Sequence, residues 1–155
     1  MRELLLDLLA DLAIVATWTL AVGALAPRGP KRWFAADRGP LRLALRFGAA
    51  PSNRALLLRL THLLPEAGAA FGGDSKRELA GNTVGHLEAH LAEGRRAEWV
   101  HWLSCLSLIG VWLAGSWLIS LAISAITLLV NFTFIAVIRF NRSRINRVLE
   151  RRRSD

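Results

Sequence analysis

A single cysteine, Cys105, stands among the 155 residues. A disulfide framework is therefore excluded, and so is a thiolate metal cluster. Acidic residues are scarce: 12 Asp and Glu face 20 Lys and Arg, for a net charge of +8. Prolines number five, and all fall between residues 27 and 65. From residue 99 to residue 138 there is no Asp, Glu, Lys or Arg at all. Disorder is excluded by composition, because 53% hydrophobic residues and a mean hydropathy of +0.33 leave ample apolar surface to bury. There is no internal repeat, and the length is that of one domain. The basic excess calls for an anionic partner, whether nucleic acid, acidic headgroups or a phosphorylated cofactor. The placement of the charges decides among them.

Residues 4–26 are apolar apart from Asp7, Asp11, Thr17 and Thr19, and about 20 such residues cross a hydrocarbon core. Ala24-Leu25-Ala26 resembles a signal-peptide cleavage site. Pro27 directly after it, the acids within the apolar run, and Arg28, Lys31 and Arg32 downstream favour an uncleaved anchor. Residues 27–97 hold all the prolines and read as turns and short amphipathic pieces. Over 41–47 and 54–64, leucines interleave with Arg42, Arg46, Arg59 and His62. Such faces suit a membrane surface or the protein's own core equally. A loop is expected over Pro65–Asp74. A helix capped by Asp74 or Ser75 should follow, interrupted near Gly81 and running to about Ala97.

The uncharged stretch 99–138 would measure about 60 Å as one helix, twice a bilayer core of about 30 Å. It must fold back, and Ala114-Gly115-Ser116 is the best turn, giving spans near 99–114 and 117–138. Of the 20 basic residues, 12 lie in 28–96 and seven in 139–153. Three spans put both groups on the cytoplasmic side, as the positive-inside rule requires. The expected fold is an all-α integral membrane protein with about three transmembrane helices, one N-terminal and then a C-terminal helical hairpin. Its middle region is cytosolic, helical and partly amphipathic. Residues 1–155 form a single membrane domain, multi-pass in the cell (cytoplasmic) membrane, with the N-terminus outside and a basic cytoplasmic tail over 139–155. The bilayer itself is the first partner. No nucleic-acid module is present and the basic residues flank the spans, so no nucleic-acid partner is expected.

The densest polar cluster is Glu93-Gly94-Arg95-Arg96-Ala97-Glu98-Trp99-Val100-His101-Trp102. Glu98 and His101 are three apart and share a helix face. A carboxylate beside an imidazole suits a general base. The same spacing also suits an interfacial helix end with solvated charges and a snorkelling histidine. If the hairpin turns near 115–116, His101 lies level with residue 130 or 131. Asn131, the most polar residue of the last span, can then meet it. Arg139-Phe140-Asn141-Arg142-Ser143-Arg144 follows that span. Its guanidiniums can grip phosphates, or act only as a positive-inside stop signal. His86, His90, Glu93 and His101 fall on one helix stripe, but His86-Leu87-Glu88-Ala89-His90 is not the metalloprotease order, and no metal is expected. A Ser/His/Asp triad is not convincing, since Ser104 is the one serine near a His–carboxylate pair.

Taken together, these clusters resemble the glycosyl-4,4'-diaponeurosporenoate acyltransferases of staphyloxanthin-type carotenoid biosynthesis. The resemblance rests on the block Glu93 to His101, on Asn131, on Ile138-Arg139-Phe140-Asn141-Arg142-Ser143-Arg144, and on Leu64-Pro65-Glu66-Ala67-Gly68 followed by Lys76-Arg77. The chain departs from the family pattern at Ile138, where glutamine is usual, and at Phe140, where tyrosine is usual. The resemblance implies transfer of a fatty acyl group to a sugar hydroxyl of a glycosylated carotenoid or similar glycolipid. It implies acyl-CoA or an acyl-carrier protein as donor, an apolar glycosylated acceptor, and no tightly bound cofactor. Joined to the clusters above, it makes His101 the base, oriented by Glu98 or Glu93. Arg96 and Asn131 stabilise the oxyanion, and Arg95, Arg139, Asn141, Arg142 and Arg144 bind the donor. The rival class is a non-catalytic membrane subunit or assembly factor, which would co-purify in fixed ratio with a larger complex. A homo-oligomer is equally open.

Overall fold

The computed structural model describes residues 2–42, 51–63 and 83–154. Those residues build only helices and turns: α1 (Arg2–Leu25), three single-turn 3-10 segments (Ala26–Arg28, Lys31–Trp33 and Gly39–Arg42), α2 (Pro51–Leu63), α3 (Val84–Ser104), α4 (Ser107–Ala114) and α5 (Trp117–Ser154). Three stretches are long and apolar enough to cross a membrane, Arg2–Arg28, Val84–Ala114 and Trp117–Ser154. Among the described residues the fold is thus all-α, with three helical stretches able to span a membrane. The expected loop over Pro65–Asp74, the cap at Asp74 or Ser75 and the interruption at Gly81 lie outside the described residues.

The hairpin turns where the sequence places it. α4 stops at Ala114 and α5 starts at Trp117. Gly115 is required there for want of space. A Cβ on it would stand 2.6 and 2.7 Å from the Asp11 carboxylate oxygens and 2.7 Å from Ser120 Oγ. Asp11 of α1 is fully buried at this turn, with Ser120 Oγ 3.3 Å away. Gly110 likewise admits Ile14 of α1, whose Cγ2 would lie 3.0 Å from an added Cβ. Small residues let α1 approach α4 closely, as packing within a bilayer requires.

The first hairpin arm differs from the expected 99–114 span in two respects. It begins well before the apolar stretch, at Val84, where the Thr83 hydroxyl accepts from the His86 amide as an N-cap. It also breaks at Cys105 and Leu106, where the ladder tightens to i→i+3 bonds: Leu106 N to the Leu103 carbonyl at 3.0 Å and Leu108 N to the Cys105 carbonyl at 3.2 Å. Ser104 and Ser107 donate their hydroxyls back to Val100 and Ser104 carbonyls, both at 2.8 Å. Such back-bonds loosen a helix. The Trp18 indole of α1 donates to the Leu103 carbonyl at 2.8 Å, satisfying an acceptor at the break.

The tail after 138 continues as helix, so α5 runs 38 residues, about 57 Å at 1.5 Å per residue. Its far end packs against the start of α3, where Leu87 and Leu91 meet Ile145 and Leu149. α2 packs on α5 through Leu57, against Val137 and Phe140. Of the two readings of this amphipathic piece, the buried Leu57 side meets the protein's own core, while Leu56 stays exposed.

Candidate functional site

The site lies between α3 and α5, at the level where the apolar run of α5 gives way to arginines. One face of α3 carries Gly94, Glu98 and His101. Gly94 sets the approach, because a Cβ there would stand 2.9 Å from Arg142 Cγ. With hydrogen in that place, the Arg142 stem runs past α3 and its guanidinium reaches Glu98.

Glu98 is completely buried. Its Oε1 accepts from Arg139 Nε at 2.6 Å and from the Trp102 indole at 3.3 Å. Its Oε2 accepts from Arg142 Nη1 at 2.5 Å. Two guanidiniums against one carboxylate compensate its desolvation, and removal of either sign would strand the other. Arg142 also binds Asp37 Oδ1, which takes a second bond from Arg95 Nε at 2.9 Å. Arg95 Nη1 donates to the Phe34 and Ala35 carbonyls at 3.3 and 3.2 Å, and Arg139 Nη2 to the Pro40 carbonyl at 2.8 Å. The short connection after α1 is therefore strapped across α3 and α5 by three arginines. Gly39 assists with φ +53, a conformation that favours glycine, and lies against the Trp99 ring.

A turn further along α3, His101 Nδ1 lies 3.0 Å from Asn131 Oδ1 of α5. Asn131 Nδ2 donates to the Thr127 carbonyl at 2.9 Å, which orients the amide with its oxygen toward the ring. Nδ1 must then carry the proton, and Nε2 is the basic nitrogen of the neutral imidazole. Phe134 stacks on the ring at 4.8 Å between centroids and 9° between planes. Asparagine and phenylalanine together fix both the tautomer and the plane.

The sequence-predicted residues thus fall into separate groups. His101 and Asn131 meet across the hairpin. Glu98, Arg139 and Arg142 form one buried cluster, to which Arg95 is joined through Asp37. Glu93 and Arg96 pair with each other along α3. Asn141 is half-buried on α5, and Arg144 is exposed, its guanidinium 5.9 Å from the Phe140 ring centroid. The described hydrogen bonds give the Glu98 carboxylate to the arginines and give Asn131 to the imidazole. Charge decides this: a guanidinium outcompetes a neutral ring for a carboxylate. Phe140, at the tyrosine position, is buried against Leu57 and Val137, where a phenol hydroxyl would need its own partner.

Asp37 and Phe134 are not among the residues the sequence singles out. Asp37 had one signal, as the lone acid among Arg28, Lys31, Arg32, Arg38 and Arg42. Phe134 had another, at i+3 from Asn131 on the same helix face. Among the described residues, no three His, Cys, Asp or Glu side chains gather as metal ligands would.

No curated protein and no solved structure matches the chain. The family model described as glycosyl-4,4'-diaponeurosporenoate acyltransferase matches residues 54–151, from α2 to the arginine-rich end of α5. That is more than half of the chain and includes Glu98, His101, Asn131, Arg139 and Arg142. The chain belongs to the glycosyl-4,4'-diaponeurosporenoate acyltransferase family.

Proposed function

We propose that this protein is a membrane acyltransferase that esterifies a sugar hydroxyl of a glycosylated carotenoid or similar glycolipid with a fatty acyl group from a thioester donor. The observation that carries the reading is the His101–Asn131 pair, 3.0 Å apart between spans, with the asparagine buried and the histidine half-buried. An ionisable side chain at that depth is costly and marks function. Its oriented tautomer offers Nε2 to a hydroxyl proton. The acceptor oxygen attacks the thioester carbonyl carbon as its proton passes to Nε2. The tetrahedral intermediate then collapses, the carbon–sulfur bond breaks, and the thiolate recovers the proton from the imidazolium. The products are the ester and a free thiol, and no other reactant is needed.

Asn131 acts through the histidine, whose plane and tautomer it holds. Arg96 lies five residues before His101, about 140° around α3, and pairs with Glu93, so it is not proposed as the oxyanion donor. The anionic part of an acyl-CoA or acyl-carrier protein is received by the arginines of this end: Arg95, Arg139, Arg142 and Arg144, with Asn141 beside them. The orientation consistent with this chemistry puts these arginines in the cytoplasm and the N-terminus outside, in the cell membrane.

The test is acyl transfer by purified protein in lipid, with radiolabelled acyl-CoA and a glycosylated carotenoid. His101→Ala should lower turnover by about 10²- to 10⁴-fold while the protein still inserts and purifies. Asn131→Ala should lower it less, because the imidazole stays and only its orientation is lost. Normal turnover by His101→Ala would overturn the assignment.

A further inference from the structure

Two features beside α3 share a wall, and the His101–Asn131 pair uses neither. The first is an apolar cavity of about 480 Å³ between α1, the connecting segment and α3. It is walled by Val22, Leu25, Trp33, Phe34, Trp99 and Leu103, with the exposed Arg38 on the same wall. Its size is that of a small-molecule site, about 300–1,000 Å³. The second is the arginine cluster. Among the described residues, three guanidiniums, Arg95, Arg139 and Arg142, face the two carboxylates Glu98 and Asp37. Arg142 Nε is buried without a hydrogen-bond partner among the described residues.

The two carboxylates differ in character. Glu98 is wholly enclosed, whereas the Asp37 side chain is 44% exposed. Asp37 holds both Arg95 and Arg142 through the single atom Oδ1. One oxygen bridging two guanidiniums is what a phosphate oxygen does at such a site. Once Asp37 leaves, Arg95 and Arg142 lose a shared anionic oxygen, which a phosphate oxygen can replace. The two features are also contiguous. The Phe34 ring lines the cavity while its carbonyl accepts from Arg95, and Arg38 directly follows Asp37.

The geometry points to a two-part site for a single-chain acyl amphiphile with a phosphate-bearing head. The chain fills the cavity, the head binds Arg95 and Arg142, and Asp37 is a built-in anion that the head displaces. This rests on the acyltransferase reading and gives the place where that reaction's donor docks. Trp99, Val100 and Leu103 put the cavity on the same turns of α3 as His101, which is not among its lining residues.

The test is equilibrium binding to the full chain in lipid nanodiscs, with no acceptor present. The probes are a non-reacting thioether analogue of palmitoyl-CoA, CoA without a chain, and phosphatidylglycerol as competitor. Asp37→Asn removes the competing charge and should tighten the analogue about tenfold, the scale of one charged hydrogen bond. Val22→Trp fills the cavity and should weaken the analogue about tenfold while leaving CoA unchanged. Val22→Ala, which keeps the cavity open, should bind as the parent does and guards against a folding defect. An unchanged or weaker Kd in Asp37→Asn would overturn the proposal. Equal losses for analogue and CoA in Val22→Trp would do the same. Phosphatidylglycerol competing as well as the analogue would assign the site to a bilayer lipid and overturn the donor assignment. The assay contains no turnover. Acyl transfer with Kd values indifferent to these variants would remove this site and keep the function. The expected Kd pattern without any transfer would do the reverse.

Discussion

Replacing Glu98 by glutamine should be the most damaging isosteric change in the protein. The side chain is completely buried, and Arg139 and Arg142, at 14% and 9% exposure, depend on it. The amide keeps an oxygen for one guanidinium and turns an NH₂ toward the other. Breaking a buried pair by removing one partner costs about 3–5 kcal/mol. Asp37 still holds Arg142, so the lower end applies, about 3 kcal/mol. That is about two orders of magnitude in the folding equilibrium. Reversible unfolding in mixed micelles, titrated with SDS and followed by circular dichroism, reads this directly. Arg142→Gln and the double variant complete a cycle. The coupling between positions 98 and 142 should reach about 1–3 kcal/mol, because the double variant leaves no stranded charge from this pair. A loss below about 1 kcal/mol in Glu98→Gln, or strict additivity in the cycle, would refute the reasoning.

Gly94→Ala pushes a methyl to within 2.9 Å of Arg142 Cγ; it should cost about 1–3 kcal/mol in the same titration and weaken the arginine cluster with it. Gly115→Ala meets three oxygens at 2.6–2.7 Å; it should destabilise by a similar amount and loosen α1, measured as faster proteolysis at the turn. Trp18→Phe leaves the Leu103 carbonyl without its indole donor at the helix break; the expected loss is about 0.5–1.5 kcal/mol, with larger hydrogen exchange around residues 103–107.

Depth along the spans was legible in the sequence; the choice of partners was not. The uncharged run from 99 to 138 had to turn, and Gly115 marked where. Counting outward from that turn brought His101 level with Asn131, and the side chains meet at 3.0 Å. Hydropathy fixes how far along a helix a residue sits, but not which way it faces or which of two partners wins. Local spacing sets Glu98 or Glu93 beside the histidine, yet Arg139 and Arg142 bind Glu98, from 41 and 44 positions distant. Asp37 reaches Arg142 across 105 positions, a separation that no local pattern encodes. The break at Cys105 and Leu106 coincides with serine back-bonds from Ser104 and Ser107, which hydropathy averages over. The burial of Asp11 depends on α1 meeting a glycine turn far away in the chain.

The central claim is that this chain alone moves an acyl group from a thioester to a sugar hydroxyl. The most direct measurement is mass spectrometry and thiol titration on one reaction, with purified protein in nanodiscs, acyl-CoA and a glycosylated carotenoid. The account predicts a monoacylated product with one free thiol released per ester, and both lowered about 10²- to 10⁴-fold in His101→Ala. Thiol released without ester, or transfer only when a second protein co-purifies in fixed ratio, would contradict it.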